Sequence, residues 1–105
     1  MTLPRRGEVW WAEHEDAGRR PYLVLTRDAA IPVLHRVVAA PLTRTIRSIP
    51  TEVALGPTDG LPVECAASFD NLTTVPRSHL VECITRLPHH VMAEVCAALR
   101  AATAC

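Results

Sequence analysis

HEDAGRRPYLVLTRDAAIPVLHRVVAAPLT, residues 14–43, decides how the rest of the chain is read. Within it Tyr22–Thr26 and Arg36–Ala40 are short runs rich in β-branched and apolar residues, the composition of strands. Asp28–Leu34, with Pro32, is the loop between them. The pattern predicts an antiparallel β-hairpin. In a hairpin centred on residues 31 and 32, paired residue numbers sum to about 63, which sets position 20 opposite position 43. Arg20 and Thr43 are therefore expected to meet at the open end of the hairpin.

Two prolines fit this geometry. Proline has no N–H for a ladder and is confined to strand starts, edges and bulges; Pro21 follows Arg20, and Pro41 precedes Thr43 by two residues. A guanidinium and a hydroxyl at a strand mouth form a donor-rich pocket suited to phosphate or carboxylate, because the planar fork of arginine can bind two oxygens at once. The plainer reading is a solvated surface arginine beside a strand-end threonine.

Upstream, Gly7–Glu13 alternates with a period of two and predicts a first strand. Trp10 and Trp11 point to opposite faces of it, so at most one is core, and packing is the expected role of both. The polar stretch His14–Arg19 reads as the loop that delivers the chain to Arg20. Downstream, Arg44–Ile49 is a loop whose Arg44 and Arg47 either hold successive phosphates or are simply solvated. Thr51–Leu55 reads as a short strand, and GPTDGLP at 56–62 is dense in turn residues. Glu64–Phe69 and Val81–Leu87 are two further predicted strands, with an irregular region around Pro76. From Pro88 the period changes: Met92, Val95, Cys96, Leu99 and Ala102 recur at helical spacing, predicting one amphipathic helix without a standard N-cap residue.

The 105 residues are expected to form a single domain, 1–105, mainly β with a C-terminal helix. The chain has no apolar run of membrane-spanning length, and Arg5, Arg6, Glu8 and Glu13 interrupt the N-terminus where a signal peptide would be apolar. A cytoplasmic location is expected, with no membrane partner. Cys65, Cys83, Cys96 and Cys105 lie far apart without C-x-x-C spacing, so neither zinc nor a redox pair is indicated. They are expected to be buried thiols, except an exposed Cys105; a metal would require His79, His89 or His90 to converge on them. Net charge is zero but uneven: residues 1–47 hold eight arginines against five acids, and the remainder three against six. This polarity is compatible with nucleic-acid binding but too small to demand it.

Four pieces of the chain, in order and with the right spacing, resemble the MazF/PemK (Kid) toxins of bacterial toxin–antitoxin pairs. RRGEVWWAE (5–13) is similar to the opening strand of the family, and HEDAGRRPYLVLTRD (14–28) to its signature loop and second strand. VVAAPLTRTIRSIPTEVAL (37–55) resembles the strand that carries the catalytic threonine and the strand after it, and SFDNLTTVPRSHL (68–80) the acidic-amide segment. The resemblance implies a small SH3-like β-barrel and an endoribonuclease that cuts single-stranded RNA without a metal or cofactor. The ribose 2′-OH attacks the adjacent phosphate, leaving a 2′,3′-cyclic phosphate and a 5′-OH. It also implies a homodimer and a cognate antitoxin protein.

By the same resemblance Arg20 and Thr43 are the central catalytic residues, with His14, Glu15 and Asp70 as candidates for the base. Arg19, Arg44, Arg47 and Asn71 are candidate RNA contacts. Of the three side-chain types, imidazole is the one suited to proton transfer near neutrality, but the choice among the three residues stays open. Each also has a plain reading as a loop or turn residue. Ser68 stands where one branch of the family has an arginine, which argues against a mechanism needing a second catalytic arginine. Two other functions compete: a non-catalytic gyrase-binding toxin of the same fold, which has no need of the His-Glu, Arg-Pro and Leu-Thr words, and an SH3-like interaction module. The latter needs a clustered aromatic groove, and the chain has only two Trp, one Tyr and one Phe.

Overall fold

The computed structural model describes residues 2–105. Seven strands are followed by one helix: β1 (Glu8–His14), β2 (Gly18–Val24), β3 (Arg36–Thr43), β4 (Glu52–Leu55), β5 (Cys65–Ser68), β6 (Thr73–Pro76), β7 (Leu80–Arg86) and α1 (His89–Thr103). All pairings are antiparallel, in the order β4-β5-β3-β2-β1-β7, with β6 also on β3. Among the described residues β4 and β7 do not pair with each other, so the ladder does not close into a ring.

The expected hairpin is present, in the expected register. Tyr22 pairs with Pro41, Leu23 with Ala40 and Val24 with Ala39. Leu25 N–H continues the pattern onto the Val38 carbonyl at 2.9 Å, and the Thr26 hydroxyl accepts from Val38 N–H at 2.7 Å. The strands differ from expectation at the other end, where β2 begins at Gly18 and β3 runs on to Thr43. Arg19 and His14 accordingly lie in strands, and the loop between β1 and β2 shrinks to residues 15–17. Pairing with β1, from His14↔Gly18 to Val9↔Leu23, is what draws this polar stretch into the sheet.

Period-two alternation sorts the central strands into two cores. Val9, Leu23 and Ala40 face one side, where they meet Val53, Leu55, Phe69 and the buried stripe Val91, Val95 and Ala98 of α1. Trp10, Ala12, Tyr22, Val24, Val37 and Ala39 face the other, closed by Ile31, Val75 and Leu80. Burial of each large apolar side chain stabilises by about 1.5–3 kcal/mol. Loss of the Phe69 ring, 2 % exposed, costs about 3–5 kcal/mol.

Several expectations require correction. The region around Pro76 is a strand, β6, which pairs only with β3 and ends at Pro76, so the proline occupies an edge where its missing N–H is harmless. The helix stripe is centred on Val91, Val95 and Ala98, with Met92, Leu99 and Ala102 at its half-buried margin. Of the cysteines, Cys65 is buried and Cys96 half-buried, but Cys83 is exposed as well as Cys105, because β7 is an edge strand. Burial, and secondarily the charge of Asp59, pushes the Cys65 thiol up from its ordinary value. Burial first, then Glu8, does the same to Cys83.

Candidate active site

The site arises where β2 and β3 part. Their ladder stops at Tyr22↔Pro41, and from Leu42 onward β3 pairs instead with β5, Leu42 with Ala67 and Thr43 with Ala66. Neither Pro21 nor Pro41 offers an N–H to carry the ladder further. The strands diverge, and an open cleft of about 600 Å³ forms between them. Arg20 and Thr43 both line it, as the register arithmetic requires, together with Trp11, Arg19, Arg44 and Val63.

Arg20 also lines a second hollow of about 590 Å³, bounded by His14, Glu15, Asp16, Tyr22 and His79. It thus stands where the two spaces meet. Its guanidinium is exposed and, among the described residues, forms no hydrogen bond or ion pair within the protein. Arg19, one residue earlier, contrasts with it. Its Nη2 lies 3.2 Å from Glu82 Oε1, its Nε 3.7 Å from Glu13 Oε1, and its guanidinium carbon 6.0 Å from the Trp11 ring centroid. Arg19 is matched by two carboxylates of its own sheet, whereas Arg20 keeps its full donor set for a ligand.

Thr43 is half-buried, and its Oγ1 accepts the Thr45 N–H at 3.1 Å. That bond fixes the oxygen and leaves the hydroxyl proton available to donate. His14 ends β1, and its Nε2 is 3.1 Å from Tyr22 Oη. Gly18 takes a left-handed φ of +70°, which lets residues 15–17 turn in three residues and carries Glu15 to the rim of the same hollow.

The other candidates lie elsewhere. Asp70 accepts the Thr51 hydroxyl at 2.6 Å, and Asn71 Nδ2 donates to Ser68 Oγ at 2.9 Å, both in the turn between β5 and β6. Arg47 is exposed beyond β3, its backbone N–H donating to Glu52 Oε1 at 2.9 Å. None of these three lines either space around Arg20, whereas Arg44 does. Among the described residues, no three His, Cys, Asp or Glu side chains gather closely enough to hold a metal ion.

Three residues of the site, Trp11, Tyr22 and His79, carry no signal in the sequence that marks them for it. Trp10 is core at 7 % exposed, as a packing residue should be, but Trp11 is half-exposed and walls the cleft. Tyr22 and His79 had not been singled out for the site. His79 reaches it through the pairing of β7 with β1, Leu80 opposite Ala12. No local signal in the sequence announces that register.

The sequence pattern of the PemK-like, MazF-like toxins of type II toxin–antitoxin systems matches residues 5–103. The chain belongs to this family. It is 46 % identical over 105 residues to the probable endoribonuclease MazF5 of Mycobacterium tuberculosis, covering 99 % of this chain and 96 % of that one. It is 42 % identical over 102 residues to the probable endoribonuclease MazF2 of the same species, covering 96 % and 99 %. Among solved structures, a mycobacterial endoribonuclease in complex with its cognate antitoxin superposes with a TM-score of 0.86 at 32 % identity, covering 96 % of this chain and 95 % of that one. A MazE–MazF complex from Deinococcus radiodurans gives 0.83 at 25 % identity, with both chains fully covered. The chain thus shares its fold with solved MazF-like toxins. No helix is long and apolar enough to cross a membrane among the described residues.

Proposed function

We propose that this chain is the toxin of a toxin–antitoxin pair, a sequence-specific endoribonuclease that cleaves single-stranded RNA to 2′,3′-cyclic phosphate and 5′-OH ends. The observation that carries the reading is that the free Arg20 guanidinium and Thr43 line one cleft. The nucleophile is the 2′-OH of the substrate, so the reaction calls for orientation, stabilisation of the extra phosphorane charge and proton transfer rather than for a metal. Arg20 holds two phosphate oxygens with its fork, and Thr43 donates to a third. Because a guanidinium keeps its proton, Arg20 acts by charge rather than as a proton shuttle. His14 is the base of choice among the three candidates, since it shares a hollow with Arg20 and Asp70 does not. Glu15, at the same rim, is the alternative.

Relatives of this fold solved with antitoxins support a cognate antitoxin as partner. Exposed apolar residues, Leu3, Val38 and Val81 among them, support a homodimer. The architecture is read as a single SH3-like barrel domain, open along one edge, in which β3 bends from one set of partners to another. The location is read as cytoplasmic.

Purified protein incubated with mixed RNA in EDTA, followed by mapping of 5′-OH ends, tests the function. Discrete 5′-OH ends at a recurring motif are the expected result; intact RNA would leave a binder without nuclease activity.

A further inference from the structure

Transesterification moves two protons, one away from the 2′-oxygen and one onto the 5′-oxygen. The residues assigned so far account for only the first, because a guanidinium is a poor proton donor. The hollow holds a second imidazole. The His79 ring stands edge-on to His14, centroids 6.0 Å apart with an interplanar angle of 89°, and lines the same space as Arg20. Its Nδ1 is sealed from solvent and has no hydrogen-bond partner. Leaving a polar atom so is costly, which speaks against a placement chosen for stability.

We propose that His79 is the general acid of the cleavage, the proton partner of His14. The proposal rests on the endoribonuclease reading above. With Nδ1 sealed, Nε2 is the nitrogen that exchanges protons with the hollow. His14 is anchored through Nε2 on Tyr22 Oη, which leaves its Nδ1 to work. As the 2′-oxygen bonds to phosphorus, its proton passes to His14. As the P–O5′ bond breaks, the electron pair goes to O5′, which takes the proton from His79 Nε2. The products are the cyclic phosphate and the 5′-hydroxyl; His14 ends protonated and His79 neutral, and exchange with water resets both. The groups that face this imidazole pair are Glu15 and Asp16 from the loop after β1, and Arg20 and Tyr22 from β2.

A leaving group that needs no proton exposes the role. The test uses a short RNA containing the mapped cleavage site, with the bridging 5′-oxygen at that linkage either left as oxygen or replaced by sulfur. On the oxygen substrate His79→Gln should lose about a hundredfold or more in rate; on the sulfur substrate it should cut nearly as fast as wild type. His14→Gln should be slow on both. In the wild type, independently of any variant, the alkaline fall of the rate with pH should be present for oxygen and absent for sulfur. Equal loss on both substrates by His79→Gln, no loss on either, or an alkaline limb that persists with sulfur overturns the assignment. A wild type that cuts neither substrate overturns the endoribonuclease reading itself, and this proposal with it.

Discussion

At the scale of single residues, the site is a contrast between neighbours. Arg19 is matched by Glu13 and Glu82, while Arg20 is unmatched and faces the cleft. Thr43 is held by the Thr45 N–H through its oxygen, so Thr43→Val removes a donor from the cleft and keeps the branching that suits a strand end. We expect a fall of about tenfold to a hundredfold in cleavage rate, the worth of about 1.4–3 kcal/mol in the transition state, with an unchanged melting temperature. A rate equal to wild type would remove Thr43 from the chemistry. Arg20 and Thr43 were legible in the sequence because a hairpin register is arithmetic on a short loop. His79 was not, because its meeting with His14 depends on strands far apart in the chain, β1 and β7, whose pairing has two register shifts; Tyr22 was not, because the β1–β2 pairing that brings it to His14 runs through a polar stretch with no strand signal.

At the scale of elements, the cleft is a product of where ladders stop. Pro21 and Pro41 end the β2–β3 pairing, and β5 takes β3 over from Leu42. Composition read β2 and β3 too short because the polar residues 18–21 and the proline at position 41 carry no strand signal, and it read β6 as irregular because Pro76 closes it at an edge. The β1–β2 turn hangs on Gly18 at φ +70°. A β-branched residue there is strained even though no atom lies within 4 Å of an added Cβ. Gly18→Val should destabilise the fold by more than about 1 kcal/mol, read as a lowered denaturant midpoint with unchanged slope. It should also slow cleavage, because the turn carries Glu15 and follows His14. Unchanged stability would mean that the turn tolerates another path.

At the scale of the whole molecule, one sheet buries both its faces in small cores and leaves apolar side chains outside. Val33 is 77 % exposed, and Leu3, Val38 and Val81 are each more than 40 % exposed. We expect a symmetric dimer that covers part of this surface, seen as twice the chain mass by sedimentation at micromolar concentration; a monomer there would contradict it. The mainly β class with one C-terminal helix was legible because alternation and one helical stripe cover most of the chain, whereas the order of strands in the sheet was not written in any local pattern. The central claim is that the free guanidinium at the strand mouth stabilises the phosphate in flight. Single-turnover cleavage of RNA in EDTA by wild type, Arg20→Ala and Arg20→Lys measures it most directly. Loss of such a donor costs about 3–4 kcal/mol, so Arg20→Ala should be slower by a few hundredfold at unchanged melting temperature, and Arg20→Lys should recover little because it restores charge without the fork. Near wild-type cleavage by Arg20→Ala would contradict the account.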